Sequence, residues 1–274
     1  MLAAQVFNVA TIWLRVAAKT KIGGNDEDGV TARLGLIIPS SNRMVEEEMV
    51  RHTPPGVVAH VMRLRMTGVH QVALDRLLPG VEMAAVVLTD AHCDVVAFHC
   101  TANSMADGLA GEEKLQAALR RAGAPQATTT ASAIRHALAT LGARRIVLLT
   151  PYGAQSTKEE ADFLHQAGHE VVQACGYALK GSDEYCATPP QFWRERAIEA
   201  ARSDADAYLI SCANIAVFPV IEDIEQKLDR PVLTSNQVVL FEALSLLGVS
   251  DRRNCPGRLF ASLSGGRIAR TAQA

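Results

Sequence analysis

Short apolar runs alternate along the chain with longer segments in which apolar residues recur at helical spacing. Runs of roughly four to eight apolar residues between turn signals are typical of buried strands, and a period near 3.6 is typical of amphipathic helices. We predict strands near 33–38, 57–64, 94–98, 145–150, 169–174, 206–210 and 232–234. We predict helices near 44–51, 78–91, 108–122, 131–141, 156–167, 190–202, 219–228 and 237–247, and a loop over 181–190. Such alternation favours parallel sheets with right-handed crossovers.

The pattern repeats itself at a fixed distance. Pro39 and Cys100 lie 61 positions apart, and so do Pro151 and Cys212. At the same offset of 112 positions, further identical pairs are Arg33 with Arg145, Glu47 with Glu159, Glu48 with Glu160 and Asp94 with Asp206. Six matches in register indicate a duplicated unit with one cysteine at the same place in each half. The expected fold class is α/β, with two pseudo-symmetric Rossmann- or flavodoxin-like lobes, parallel sheets and an active site between them.

The predicted elements divide the chain into three parts. Residues 1–32 contain an apolar stretch and a Gly- and Asp-rich segment at 23–29, and we expect a flexible extension outside the fold. Its positive charges follow the apolar run, which is the reverse of a signal peptide, and the run is too short and polar to span a membrane. The first lobe is expected at 33–127 plus about 237–265, with a loose tail after 265, and the second lobe at 128–236.

Composition and charge restrict the functions that the chain could have. The net charge is −2, so no overall field attracts nucleic acid or an anionic membrane. The six cysteines form no CxxC pair and match no zinc-site spacing, and no glycine-rich phosphate loop is present. We therefore expect free thiols, no metal, no cofactor and a cytoplasmic location. The expected partner is a small carboxylate substrate, and a homodimer or higher homo-oligomer is compatible with the predicted helix faces.

Candidate site residues cluster where predicted strands end. Ligands of parallel α/β sheets bind in the crevice beyond the carboxyl ends of the strands. Cys100 and Cys212 follow equivalent strands, while Asn42 and Tyr152 follow the strands predicted at 33–38 and 145–150. If the two halves face each other, the two thiols flank one shared pocket.

Two facing thiols define a particular chemistry. A thiol between a buried strand and the next helix receives backbone N–H groups, so we expect its pKa to fall from about 8.5 toward neutrality. A thiolate and a thiol on opposite faces of a substrate can move a proton across a carbon. They can also add sulfur to an activated double bond and protonate the neighbouring carbon. Nearby Ser, Thr and Asn side chains and loop N–H groups could hold a carboxylate or stabilise an enolate.

Five short motifs carry a resemblance to a known family. They are Ile38-Pro39-Ser40-Ser41-Asn42, His99-Cys100-Thr101-Ala102-Asn103-Ser104, Thr150-Pro151-Tyr152-Gly153, Ser211-Cys212-Ala213-Asn214 and Pro231-Val232-Leu233-Thr234-Ser235-Asn236-Gln237. In order and spacing they resemble the maleate cis-trans isomerase branch of the Asp/Glu racemase superfamily, over about residues 33–262.

The resemblance implies a cofactor-free pocket between two α/β domains. It implies that Cys100 adds to the alkene, that Cys212 protonates the adjacent carbon, and that Asn42 and Tyr152 bind the substrate carboxylates. The other substrate-binding candidates are Ser41, Thr101, Asn103, Ala213 and Asn214. Arylmalonate decarboxylases of the same superfamily keep only the second cysteine, so Cys100 argues against that branch.

The chain departs from the isomerase pattern at one loop. Residues 179–186 lack the carboxylate-binding asparagine of the isomerases. Asp183 or Glu184, if it faced the pocket, would repel a second carboxylate, and Lys180 would do the reverse. A two-base racemase acting on aspartate, glutamate or a hydantoin therefore stays open, as does a non-catalytic protein that binds a small ligand.

Each candidate also has a plainer structural interpretation. Asn42 could cap the following helix, Asn103 and Asn214 could fix local turns, and Tyr152 could pack against its neighbours. His99 is expected on the opposite face of its strand as a core histidine. Outside the site, the Glu46–Glu48 run is expected to be a solvated helix face. The remaining cysteines, expected to act as small apolar side chains, are Cys93, Cys175, Cys186 and Cys255.

Overall fold

The structure is a computed structural model that describes residues 29–66, 72–251 and 254–262. The predictions for the N-terminal extension and for the tail after 265 concern residues that lie almost entirely outside these ranges. The first sheet and its helices comprise β1 (Ala32–Pro39), α1 (Val45–His52), β2 (Val57–Leu64), α2 (Leu74–Asp90), β3 (Val95–Phe98), α3 (Thr101–Met105), α4 (Gly108–Arg121) and β4 (Ala127–Thr129).

The connecting helix α5 (Thr130–Thr140) leads into the second sheet. The elements that follow are β5 (Arg145–Thr150), α6 (Ala154–Gln166), β6 (Glu170–Gly176), α7 (Gly181–Ala187), α8 (Pro190–Glu199), β7 (Ala207–Ile210), a 3₁₀ turn (Phe218–Val220), α9 (Ile221–Leu228), β8 (Val232–Thr234), α10 (Ser235–Leu246) and α11 (Arg258–Ala261). None of the helices among the described residues has the length and apolar character to cross a membrane.

Both sheets have the same topology. Their strand orders are β2-β1-β3-β4 and β6-β5-β7-β8, and every pairing is parallel. Leu34 pairs with Val95 in the first sheet, and the residues 112 positions further on, Ile146 and Ala207, pair in the second. The internal repeat therefore corresponds to two equivalent α/β units, which confirms the predicted fold class.

The two units share one hydrophobic core. Leu34 and Leu36 of the first sheet, Ile146 and Leu148 of the second, and Val239 of α10 belong to the same cluster of fully buried side chains. Helices α5 and α10 pack against each other, and each begins directly after the last strand of its sheet. Thr129 and Thr234 cap these helices by accepting an N–H from the residue three positions on. The predicted division into 33–127 plus about 237–265 and 128–236 stays a prediction.

The structure contains three elements that are not predicted, β4, α3 and α11, and it also differs from the predictions for α2, α6 and α7. Helix α2 starts at Leu74, so Pro79 lies inside it and not at its start, because Leu77 and Val81 are buried on the same face as the rest of the helix. Helix α6 starts at Ala154, two residues before the predicted start at 156. Residues 181–187, predicted as a loop, form α7, whose Tyr185 is buried.

Candidate active site

A cavity of about 100 Å³ lies at the carboxyl ends of both sheets. All nine predicted site residues line it: Ser41, Asn42, Cys100, Thr101, Asn103, Tyr152, Cys212, Ala213 and Asn214. Six further described residues, none of them a predicted site residue, also line the cavity: Pro39, Met66, Ala102, Ser156, Ser182 and Tyr185. The prediction that one pocket brings the two halves together is confirmed, whereas the role of each residue stays a prediction.

The two cysteines reach the cavity by the same local structure. The N–H of His99 donates to the carbonyl of Ile37 at 2.8 Å, and the N–H of Ser211 donates to the carbonyl of Leu149 at 2.8 Å. Each hydrogen bond extends the parallel pairing by one residue beyond the end of β3 or β7. The next residue is Cys100 in the first half and Cys212 in the second. Cys100 is partly exposed to the cavity, whereas Cys212 is 5% exposed.

Burial raises the pKa of both thiols. The pKa of Cys100 rises to about 11 because of desolvation, although a hydrogen bond from the Asn103 backbone opposes the rise. The pKa of Cys212 rises to about 12 for the same reason, opposed by hydrogen bonds from the Tyr152 hydroxyl and from the Asn214 N–H, whose nitrogen is 3.3 Å from Sγ. The expectation of lowered thiol pKa values is therefore wrong, because desolvation outweighs the few local donors. Both thiols are protonated at neutral pH.

His99 is the core histidine that strand alternation predicted. It is fully buried, with Nδ1 2.9 Å from Thr130 Oγ1 and Nε2 2.8 Å from Asn236 Oδ1. Burial lowers its pKa to about 4, so the ring is neutral, donates from Nε2 to the amide oxygen and accepts from the hydroxyl. The amide nitrogen of Asn236 donates to Glu48, which is 7% exposed, so Glu48 is not part of the solvated helix face predicted for Glu46–Glu48.

The three asparagines also fix the walls of the cavity. Asn42 Oδ1 accepts the N–H groups of Met44 and Val45 at 3.0 Å each, at the start of α1, and its Nδ2 donates to the Ala213 carbonyl at 2.8 Å. This contact joins the two halves across 171 positions of sequence. The capping role considered for Asn42 is therefore present, and it coexists with a position on the cavity wall.

Asn214 and Asn103 make comparable contacts. Asn214 Oδ1 accepts the N–H of Arg43 at 2.9 Å, which also joins the halves. Asn103 Nδ2 donates to the carbonyl of Val72 at 2.7 Å. Each of these amides thus holds a loop while it faces the cavity.

Helix α7 contains most of the segment 179–186, at which the sequence departs from the isomerase pattern, and it supplies one wall of the cavity. Ser182 and Tyr185 face the cavity, and the Ser182 hydroxyl lies 2.9 Å from that of Ser41. Asp183 points away: its side chain is 96% exposed and pairs with Arg43 at 2.8 Å. Glu184 accepts the N–H of Lys180 at the start of α7. Neither carboxylate faces the cavity, so the repulsion that either would cause there does not arise.

Among the described residues, those that line the cavity have no charged side chain. Over residues 29–66, 72–251 and 254–262, no three His, Cys, Asp or Glu side chains come close enough together to hold a metal ion. The chemical groups offered to a ligand are therefore two thiols, two phenols, and hydroxyl, amide and backbone donors. A negatively charged ligand would be held by hydrogen bonds and not by a cation.

The sequence does not single out Ser182 and Tyr185, because it predicts a loop over 181–190. In a helix, residues three apart lie on one face, so both side chains point the same way. A helical prediction for this segment would have identified both residues.

Each of the two equivalent parallel α/β units places one cysteine at the same cavity, whose described lining residues are uncharged. This arrangement defines an α/β enzyme that uses two thiols. The profile of the family described as arylmalonate decarboxylase matches residues 34–260. The chain belongs to this family, which confirms the resemblance drawn from the motifs.

The curated relatives include two kinds of enzyme. A maleate isomerase of Geobacillus stearothermophilus is 28% identical over 231 residues, which cover 79% of this chain and 92% of that protein. An arylmalonate decarboxylase of Bordetella bronchiseptica is 27% identical over 236 residues, which cover 84% and 97%. Among solved structures, a maleate cis-trans isomerase mutant of Nocardia farcinica with a covalently bound succinylcysteine intermediate has a TM-score of 0.77 at 24% identity, covering 84% of this chain and 98% of that one. This last likeness shows the fold.

Proposed function

We propose that the chain is a cofactor-independent isomerase of the maleate cis-trans isomerase type, which acts on a small cis-dicarboxylate. The observation that carries the proposal is that one thiol from each half lines the same cavity. The two are close enough for the charge of Cys100 to raise the pKa of Cys212. Curated relatives named maleate isomerase and the succinylcysteine of the Nocardia structure support the same chemistry.

The reaction needs one thiolate and one thiol. The Cys100 thiolate forms a C–S bond with one alkene carbon, and the π electrons move to the neighbouring carbon, where the adjacent carboxylate delocalises them. The Cys212 thiol gives its proton to that carbon and becomes a thiolate. The former double bond is now single and rotates. Cys212 then takes the proton back, the C–S bond breaks, and the trans alkene and the Cys100 thiolate are formed.

The different exposure of the two thiols supports this division of roles. Cys100 is partly exposed to the cavity, while Cys212 is buried, and burial penalises the thiolate form. Cys100 therefore loses its proton more readily, and Cys212 keeps the proton that an acid must supply.

The carboxylates would be held by neutral donors. Ser41, Asn42 and Thr101 line one side of the cavity, and Ser182 and Tyr185 line the side where the asparagine is missing. Preorganised hydrogen-bond donors in a site without bulk water can hold an anion and stabilise the enolate that forms on addition.

A two-base racemase of aspartate, glutamate or a hydantoin is the second candidate. The departure of residues 179–186 from the isomerase pattern favours it, because Ser182 and Tyr185 place hydroxyl groups on this wall of the cavity. Such an enzyme would use the same thiols on a carbon acid instead of an alkene.

Proton NMR in deuterated water tests both candidates. Maleate, both enantiomers of aspartate and of glutamate, and a hydantoin are incubated with the wild type, Cys100→Ala and Cys212→Ala. Cys175→Ala is the matched control, since Cys175 is half-buried on β6 and does not line the cavity. We expect fumarate from maleate with the wild type and the control, and none with the other two variants. Deuterium at a chiral carbon with maleate inert would favour the racemase, and activity that survived both substitutions would contradict the mechanism.

A further inference from the structure

Glu160 is a buried carboxyl group that the proposed reaction does not use. It lies on α6, one helical turn after Ser156, which lines the cavity. Its side chain is 1% exposed, and neither carboxyl oxygen has a hydrogen bond of standard geometry with a described residue. A buried carboxyl without donors is costly as a carboxylate, so its presence beside a reactive site calls for a physical explanation.

The carboxyl is electrostatically coupled to the reactive groups. The charge of Glu160 raises the pKa of Cys100, of Cys212 and of Tyr152. The Ser211 hydroxyl lies beside the carboxyl and lowers its pKa, although Ser211 is fully buried and its hydroxyl also lacks a hydrogen bond of standard geometry. Because Ser211 immediately precedes Cys212, the carboxyl contacts the backbone segment that carries the second thiol.

The internal repeat provides a comparison. Glu48 occupies the equivalent position in the first half and is 7% exposed, but Asn236 donates a hydrogen bond to it. The residue before Cys100 is His99, which has two partners of its own, whereas the residue before Cys212 is a serine. The two halves therefore differ at this position: the glutamate of the first half has a donor, whereas that of the second has none of standard geometry among the described residues and shifts the pKa of both thiols.

An ionised Glu160 would oppose the proposed reaction. The described part of the cavity wall has no cation. The proposed reaction brings a dianionic substrate and a Cys100 thiolate into the cavity. A further buried negative charge would repel both at low local dielectric constant.

Burial raises the pKa of Glu160 to about 8, with a smaller contribution from Glu159, so the group is neutral at neutral pH. The strands and helices packed against α6 carry other ionisable groups, and none of these shifts the pKa of Glu160: Glu112, Glu113, Lys114, Arg120, Arg121, Arg145, Glu170 and Cys175.

We propose that Glu160 is a positioning residue that acts as an uncharged acid beside Ser211 and the strand end that carries Cys212: it keeps the protein behind the two thiols free of charge while Cys100 ionises and the dianion binds. The part that concerns the dianion rests on the proposed function, whereas the part that concerns the thiols does not.

The test compares Glu160→Gln, which stays neutral at every pH, with the matched control Glu48→Gln. In the wild type, kcat/KM for maleate is expected to rise with pH as Cys100 ionises and to level off or fall above about pH 8, where Glu160 loses its proton. In Glu160→Gln the rise of about tenfold per pH unit should continue to pH 9, because no second negative charge forms. Glu48→Gln should keep the wild-type profile. A Glu160→Gln profile that bends at the wild-type pH, or loss of activity at pH 7 in the folded variant, would overturn the proposal.

A second measurement does not depend on the substrate. The alkylation rates of Cys100 and Cys212 by iodoacetamide, followed by peptide mass spectrometry from pH 7 to 9, should be several-fold higher in Glu160→Gln at pH 9 and unchanged in Glu48→Gln. If the alkylation rates change but maleate is inert, the inference about the thiols stands and the proposed substrate fails. Equal rates in Glu160→Gln and the wild type would overturn the inference.

If Glu160→Gln does not fold, Ser211→Ala provides a substitute test, because this variant keeps the Glu160 carboxyl. Because the Ser211 hydroxyl lowers the pKa of Glu160, its removal should move the bend in the alkylation profile to higher pH. A bend at the wild-type pH would count against the contact between Glu160 and Ser211.

Discussion

Cys100 and Cys212 occupy equivalent positions but have different neighbours. The backbone of Asn103 donates the hydrogen bond that opposes the rise in the pKa of Cys100. Cys212 accepts two hydrogen bonds, one from the Tyr152 hydroxyl and one from the Asn214 N–H. The sequence located both thiols, because a repeat reveals equivalent positions. It could not reveal the sign of their pKa shifts, because that sign depends on how completely the assembled walls exclude water.

Replacement of Tyr152 by phenylalanine tests the contact with Cys212. The hydroxyl lowers the pKa of Cys212, so its loss should make the thiol a weaker acid and reduce kcat for maleate by about 10- to 100-fold. Tyr177→Phe is the control, since Tyr177 packs against Phe192 and Trp193 away from the cavity. Steady-state kinetics at pH 7.5 checks the prediction, and a kcat within about twofold of wild type in Tyr152→Phe would contradict it.

Stability should fall as the pH rises from about 6.5 to 8. Glu48 and Glu160 keep their protons to about pH 8 in the folded state, whereas the unfolded chain releases them near 4.5, so between these values the folded state binds more protons. Each carboxyl then lowers the free energy of unfolding by about 1.4 kcal/mol per pH unit. His99, with a folded pKa of about 4, acts in the opposite direction below its unfolded value of 6.5 and is neutral in both states above it.

Urea denaturation at pH 6.5 and pH 8 measures this loss. Glu48→Gln and Glu160→Gln should each reduce the difference between the two pH values, and together they should abolish most of it. A free energy of unfolding that is equal or higher at pH 8 in the wild type would show that the two carboxyls are ionised in the folded state.

At the level of elements, the sequence predicts the positions of the inner strands and their parallel arrangement. A repeat with an offset of 112 positions requires the same register in both sheets, and this register is observed. Helix α7 was missed because Gly181 and Pro189 flank a short polar segment, which is typical of a loop. Burial of Tyr185 in the core of the second half overrides that local preference.

Two adjacent residues of α7 should respond differently to substitution. Ser182 faces the cavity and contacts Ser41, so Ser182→Ala should raise KM for maleate by about 3- to 10-fold through loss of one hydrogen bond. Asp183 is exposed and directed away from the cavity, so Asp183→Asn should change KM less than about twofold. Steady-state kinetics separates the two, and a lower KM in Asp183→Asn would mean that the carboxylate acts on the substrate.

At the scale of the whole molecule, polar contacts between residues far apart in sequence join the halves. Asn42 reaches Ala213 across 171 positions, and His99 reaches Asn236 across 137. Motif order placed these residues near the crevice, but no local pattern pairs an asparagine with a distant carbonyl or histidine. Such contacts could not be predicted because they exist only after both sheets have packed.

The shared core predicts a single unfolding transition. In a Trp13→Phe background, Trp193 of α8 is the one remaining tryptophan and reports on the second half, whereas far-ultraviolet circular dichroism reports on the whole chain. The two urea curves should coincide. Asn236→Ala removes the hydrogen-bond partner of both Glu48 and His99, and should shift both curves together by about 2 kcal/mol. Separate midpoints would show that the halves unfold independently.

The central claim is that Cys100 adds to the alkene while Cys212 handles the proton, and a covalent adduct tests it most directly. Cys212→Ser and Cys100→Ser are incubated with maleate, quenched in acid, and mapped by peptide mass spectrometry. The account predicts an adduct with the mass of one maleate on Cys100 in Cys212→Ser, and no adduct on Cys212 in Cys100→Ser. No adduct in Cys212→Ser, or an adduct on a cysteine outside the cavity, would contradict it.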